Sequence, residues 1–199
     1  MAGRYLELMF TPPVQAAQQH YYGRSMALPP QAERDALTAD EVGFIGARDS
    51  FYLGSVSPSG WPYVQHRGGA PGFLRVLSPL QLAFADYKGN RQMITTGHLA
   101  NDSRVSLFLM DYPQRQRLKI LGLARVVDAR EEPETLALLT DPALRAQVER
   151  LYFIEVVSYD WNCPKYITPR YTRDEVAQLM APLQVRIAEL EAQLAKTSP

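Results

Sequence analysis

The sequence predicts a mainly β fold with peripheral helices (α+β), built as an antiparallel barrel or sandwich. Short runs rich in aromatic and β-branched residues recur about every 10–15 residues and are bounded by turn residues. Between them there is no regular helical pattern of the kind that βαβ crossovers require. The 199 residues, 46% hydrophobic and 21% charged, suit one folded domain with an appended helix, not a disordered chain.

The elements follow in order. Residues 1–37 form an arm with Thr11-Pro12-Pro13 and Pro29-Pro30, in which a short helix is expected around Val14–Tyr22. Thr38-Ala39-Asp40-Glu41 is a capping box, threonine at the N-cap and glutamate three residues on. It starts a helix through about Arg48, with Val42, Ile45 and Gly46 as its expected buried positions. Phe51–Ser57, the turn Pro58-Ser59-Gly60, and Trp61–Gln65 make a β-hairpin. Phe73–Leu77 and Gln81–Ala85 form a second pair about Ser78-Pro79, and Val105–Met110, Leu118–Val127 and Leu151–Tyr159 are three further strands. Leu136, Leu139 and Leu144 mark a helical excursion between Glu131 and Gln147. The aromatics Tyr21, Tyr22, Phe51, Tyr52, Trp61 and Tyr63 are expected mostly in the core, with Trp61 at a hairpin tip able to roof a ring.

The end is helical again over residues 169–199. Val176, Met180, Leu183, Ile187, Leu190 and Leu194 alternate spacings of four and three, a coiled-coil-like seam with Arg186, Glu189 and Glu191 outside it. Pro182 is expected to kink this helix or to start a fresh one. The seam packs either on its own barrel or on a second copy, and the second is favoured.

Twenty-one basic residues balance 21 acidic ones, so bulk charge does not suit nucleic-acid binding. The single cysteine, Cys163, excludes an intramolecular disulfide and a cysteine-based zinc site. No apolar run is long enough to span a membrane and no leader pattern is evident, so a cytoplasmic protein is expected. The neutrality is uneven, however. Between Gln65 and Lys119, eight basic residues (Arg67, Arg75, Lys88, Arg91, Arg104, Arg115, Arg117, Lys119) face three acidic ones (Asp86, Asp102, Asp111), a surplus of +5 that leaves −5 elsewhere. Several of these cations sit beside glycine turns, His66-Arg67-Gly68-Gly69-Ala70-Pro71-Gly72 and Asp86-Tyr87-Lys88-Gly89-Asn90-Arg91, and Thr95-Thr96-Gly97-His98 adds hydroxyl donors. Glycine lets the backbone approach a ligand, and arginine offers a planar fork of donors to a phosphate. Any one of these turns alone reads equally as an ordinary hairpin with solvated charges. Together they favour a phosphorylated small ligand.

The order of these motifs, continued by Asn101-Asp102, Val105–Leu109 and Arg117-Leu118-Lys119-Ile120-Leu121-Gly122, resembles the pyridoxamine 5′-phosphate oxidase-like, FMN-binding split-barrel proteins over about residues 40–160. The resemblance implies a split-barrel domain over 38–168, FMN as cofactor, and a homodimer with FMN at the subunit interface and a small-molecule substrate. It further implies that Arg91 and Asn90 stand where a serine-arginine-lysine motif meets the FMN phosphate, with Gln92 at the lysine position and Lys88 or Lys119 able to compensate. Phe84, Ala85 and Asp86 occupy the strand that borders the flavin, His66 and Arg67 the place of a cofactor-contacting strand arginine, and Arg117 the place of a glutamine near the ring. A cation there, Arg117 or Lys119, would stabilise the reduced flavin. The tryptophan-glutamate and arginine-leucine-histidine-aspartate-arginine signatures that mark true pyridoxamine phosphate oxidases are missing. The resemblance therefore implies an FMN-dependent oxidoreductase with another substrate, or alternatively a non-catalytic flavin- or haem-binding protein on the same barrel.

Other chemistries have weaker support. His20, His66 and His98 lack metal-site spacing, although His66 and His98 are the available axial ligands for haem. Cys163 beside Lys165 reads either as a reactive thiol or as a small hydrophobe anchoring a turn, and the second is preferred. Gly54-Ser55 lacks the nucleophile elbow, and Gly68-Gly69-x-x-Gly72 does not lead from a strand into a helix as a dinucleotide fingerprint does.

Overall fold

The computed structural model describes residues 3–27, 33–89, 91–161 and 164–197. Asn90 and Cys163 therefore lie outside the described residues. Two short helices come first, α1 (Gly3–Met9) and α2 (Pro12–Tyr22). α2 opens with prolines where a missing N–H costs nothing, and it stops at Gly23 in the left-handed conformation, φ 68°.

α3 (Ala39–Gly46) begins at the expected capping box, with Thr38 N–H donating to Glu41 Oε2 at 2.8 Å. Its buried face is Glu41, Phe44 and Ile45, not Val42, Ile45 and Gly46; Val42 and Gly46 are exposed. The rotation follows Trp161, whose indole N–H donates to Glu41 Oε1 at 2.6 Å and whose ring meets Phe44 edge-on at 4.8 Å.

The strands are β1 (Ser50–Val56), β2 (Pro62–Gly68), β3 (Arg75–Ser78), β4 (Gln81–Tyr87), β5 (Arg104–Asp111), β6 (Gln116–Asp128) and β7 (Val148–Trp161). They form one antiparallel sheet in the order β2-β1-β5-β6-β7-β4-β3, with no ladder joining β2 to β3, so the barrel is split. The sheet nevertheless curls over its core. Phe51 on β1 meets Phe84 on β4 with ring centroids 5.4 Å apart, although three strands lie between β1 and β4 in the order. Inward positions alternate along β1 and β5, and Leu53, Leu107, Leu109, Leu118, Ile120 and Ile154 are fully enclosed.

β4 departs from alternation and is buried from Leu82 to Asp86. Its second face, Ala83 and Ala85, is covered by α5 (Pro133–Leu139) through Leu139. That helix is the expected excursion; Leu144 lies beyond it, at the start of a 3₁₀ turn, Arg145–Gln147. α4 (Ile94–Leu99) follows β4.

α6 (Arg173–Thr197) is capped by Thr172, whose N–H donates to Glu175 Oε2 at 2.7 Å. It continues through Pro182 as one helix, so no fresh helix starts there. Its surroundings are aqueous, which lets water satisfy the carbonyl that proline leaves without a donor. Of the aromatics expected in the core only Phe51 is fully buried; Tyr21, Tyr22, Tyr52 and Trp61 are exposed. α2 buries no residue, Tyr52 stands on the sheet's outer face, and Trp61 tops the β1–β2 turn. Among the described residues no helix is long and apolar enough to cross a membrane.

Candidate functional site

A cleft of about 250 Å³ opens at one mouth of the curled sheet. β2 supplies Tyr63, Gln65 and Arg67 from its alternate inward positions, and β4 supplies Asp86. β7 supplies Arg150 and Tyr152, which its register sets opposite Asp86 and Phe84. The segment after β4 closes the rim with Gly89, Arg91, Gln92, Thr95 and Thr96. Arg91 and Met93 both have φ of 58°, the left-handed region that side chains seldom adopt.

Asp86 joins the two strand arginines. Arg67 Nη1 donates to its Oδ1 at 2.5 Å, and Arg150 donates to its Oδ2 through Nη2 at 2.8 Å and Nε at 2.9 Å. Burial works against the charge of Arg150, but its bonds to Asp86 prevail and raise its pKa. Arg67 also donates to the Tyr152 hydroxyl at 3.4 Å and lies over the Tyr152 and Phe84 rings, 5.1 and 5.6 Å from their centroids. That hydroxyl is 2.7 Å from Thr96 Oγ1, while Thr95 Oγ1 donates to Gln65 Oε1 at 2.9 Å.

Two features suit an anion. Three guanidiniums line the cleft against the single carboxylate of Asp86; Glu149, which also pairs with Arg150 at 3.1 Å, does not line it. In addition, Arg67 Nε is buried with no hydrogen-bond partner among the described residues.

Of the residues singled out from the sequence, Arg67, Asp86, Arg91 and Gln92 meet at this cleft. His66 points to the other side of β2, with its ring edge-on to Tyr52 at 5.7 Å. Arg117 shares that outer face, 5.2 Å from the Phe108 ring centroid. Lys119 bonds to Asp160 at 2.6 Å and lies over Tyr5 of α1. Burial opposes its charge, and these two partners outweigh burial and raise its pKa. Ala85 faces α5, and Lys88 lines a wider basin beyond Arg150, next to Asp128 and Glu149.

The first glycine turn serves packing. A Cβ on Gly72, φ 79°, would come 2.9 Å from the Gly46 carbonyl of α3. His98 Nδ1 is 2.9 Å from Ser55 Oγ, and no group of three or more His, Cys, Asp or Glu able to hold a metal occurs among the described residues.

Arg150 and Tyr152 were not legible as site residues. Their one signal is a charged residue opening an apolar strand, and pairing across 64 positions with Asp86 is invisible in a single sequence.

A family model described as pyridoxamine 5′-phosphate oxidase matches residues 37–149, from the start of α3 to the start of β7. No curated protein matches the chain in sequence. Among solved structures it is similar to a HupZ variant of Group A Streptococcus, with 11% identity and a TM-score of 0.50 over 63% of this chain and 99% of that one. It is also similar to a candidate pyridoxamine 5′-phosphate oxidase of Lactobacillus delbrueckii, with 18% identity and a TM-score of 0.49 over 63% and 94%. A third similar structure is HutZ, described as the haem storage protein of Vibrio cholerae, with 15% identity and a TM-score of 0.46 over 64% and 94%. At these identities the likeness concerns the fold alone.

Proposed function

The chain belongs to the pyridoxamine 5′-phosphate oxidase family, and from that premise we propose that it is a cytoplasmic, FMN-binding flavoprotein oxidoreductase acting on a small organic molecule. The observation that carries this reading is the cleft's cationic surplus together with the unsatisfied Nε of Arg67. A phosphate monoester brings about −1.5 to −2 charge and three acceptor oxygens to such a place.

In this reading Arg67 and Arg91 bind the FMN phosphate, and Thr96, whose oxygen can accept from the Tyr152 hydroxyl, adds a hydroxyl donor. Gln92 borders the same cleft. The cleft is smaller than most ligand pockets, which span about 300–1,000 Å³, so it takes the phosphate end only. Asp86 backs that end, and the ring lies beyond it, toward His66, Arg117 and Lys119 at the interface with a second subunit. FMN, when bound, supplies the hydride or electron chemistry. Arg117 or Lys119, as a cation near the ring, stabilises the reduced flavin and so sets its potential. The organisation that accompanies this is an arm over 1–37, a split-barrel domain over 38–168, and a terminal helix over 169–199.

The absorption spectrum of the native protein, followed by cofactor extraction, tests the proposal. Flavin bands with FMN released on denaturation are expected. A Soret band, or a colourless protein that refuses added FMN, would replace it with a haem-binding or other non-flavin role on the same barrel. Bleaching by NADH or NADPH with substrate-dependent reoxidation then separates an enzyme from a carrier.

A further inference from the structure

α6 is 25 residues long, about 37 Å at 1.5 Å per residue. From Arg173 to Lys196 every residue except Glu175 is exposed. The exposed side chains include six apolar ones in a regular row, Val176, Met180, Leu183, Ile187, Leu190 and Leu194. Their spacing of four, three, four, three and four makes two rows that each repeat after seven residues, Val176, Leu183 and Leu190 in one and Met180, Ile187 and Leu194 in the other. Two adjacent rows repeating every seven residues are the a and d seam by which one helix packs against another.

The heptad register makes the partner specific. Met180, Ile187 and Leu194 fall at a, and Val176, Leu183 and Leu190 at d. At the middle of the seam Ile187 at a is flanked by Leu183 and Leu190 at d, the combination that favours two-stranded parallel coils. Pro182 falls at the outward c position, where its ring does not meet a partner helix. Arg186 is at g and Glu191 at e, five residues on, which is the spacing that faces g of one helix with e of the other in a parallel pair. An antiparallel pair would set g against g (Leu179, Arg186, Gln193) and e against e (Ala177, Gln184, Glu191), and so would offer neither charge an opposite. The existing bond of Arg186 to Glu189 at 2.9 Å is fully within reach of water and leaves the guanidinium able to serve both carboxylates.

We propose that α6 forms a parallel two-stranded coiled coil with α6 of a second copy of this chain, Arg186 of each facing Glu191 of the other. The seam is under three heptads, too short to associate well alone, so the barrels act as the tether that raises its effective concentration. Two helices leaving the two barrels side by side and parallel require a two-fold axis along the coil. The inference is independent of the flavin reading.

Cysteine cross-linking of the full chain tests it, in a Cys163→Ser background. Under mild oxidation Leu190→Cys, at d, is expected to give mostly disulfide-linked dimer, and Val185→Cys, at the outward f position, to stay monomeric on a non-reducing gel. No dimer from Leu190→Cys, the result if α6 packs on its own barrel or on another protein, or equal dimer from Val185→Cys, the result of unspecific collision, overturns the coil. At low salt, adding Arg186→Glu to Leu190→Cys should slow cross-linking several-fold, and adding Glu191→Arg as well should restore it. Failure of that double exchange to restore the rate overturns the parallel arrangement. Within one protomer all of these α6 positions are exposed, so circular dichroism should show every variant's barrel folded like the parent's, and the comparison does not turn on folding.

Discussion

Asp86 bonds to two guanidiniums and neutralises one charge of the two, and all three side chains are close to buried, with exposures of 11% for Asp86, 14% for Arg67 and 15% for Arg150. Removing one partner of such a cluster leaves uncompensated charge, at a cost of about 3 kcal/mol or somewhat more. Asp86→Asn should therefore lower the melting temperature by roughly 6–12 °C at this chain length. Added inorganic phosphate should restore part of that loss, and should do so more steeply than it stabilises the parent. A variant that melts with the parent would show that the cleft does not depend on this carboxylate. Glu41 is a different case. Burial would raise its pKa, but bonds from the Thr38 hydroxyl, the Trp161 indole and the Thr38 amide lower it below the ordinary value of 4.5. A group whose folded pKa is depressed stabilises fully above its unfolded pKa and loses that contribution as pH falls through the folded value. Glu41→Gln should thus cost about 1–2 kcal/mol at pH 7. The deficit should shrink below pH 4.5, and melts at pH 7, 5 and 3.5 would reveal a deficit that instead persists or grows.

Among the elements, β6 shows how a single glycine sets a strand crossing. A Cβ on Gly122 would come 2.6 Å from Ile154 Cγ2 and 2.8 Å from the Glu155 carbonyl, beside the register shift between Leu121 and Gly122. The carbonyl belongs to the ladder and does not yield cheaply, so Gly122→Ala should destabilise by about 1–3 kcal/mol. Urea unfolding would measure it, as a lower midpoint with an unchanged slope. In the sequence Gly122 is simply a glycine within an apolar run, and that limit is general here. The alternation of β1 and β5 and the capping box of α3 are local signals, and each element formed where its residues placed it. The buried face of α3 was not local, because it turns toward Trp161, 120 positions away. The site divides in the same way. Arg67, Asp86 and Arg91 stood out beside glycine turns, whereas Arg150 and Tyr152 reach the cleft only through the β4–β7 register. Sheet order is set by which strands pair at long range, and that information lies in no short window of residues.

For the molecule as a whole, neutrality conceals a division between a basic strand region and an acidic remainder, and folding cancels only part of it. Lys119 finds Asp160 on β7, Arg48 on the α3–β1 connection finds Asp111 on β5 at 2.7 Å, and Arg67 and Arg150 share Asp86. Arg91 and Lys88 form no ion pair among the described residues. A ligand carrying two negative charges would complete the balance at the cleft, and its binding must appear as stability. At a free concentration 100 times its Kd, a ligand adds about 2.7 kcal/mol, or roughly 5–11 °C for a chain of this size. FMN should therefore raise the melting temperature by that order. Riboflavin, the same ring without the phosphate, should raise it far less at equal concentration. Half-molar sodium chloride should narrow the difference, because screening weakens the exposed contacts of Arg91 more than the enclosed ones of Arg67. Equal stabilisation by riboflavin and FMN would mean that the cleft does not hold a phosphate, and that its three guanidiniums serve only the sheet.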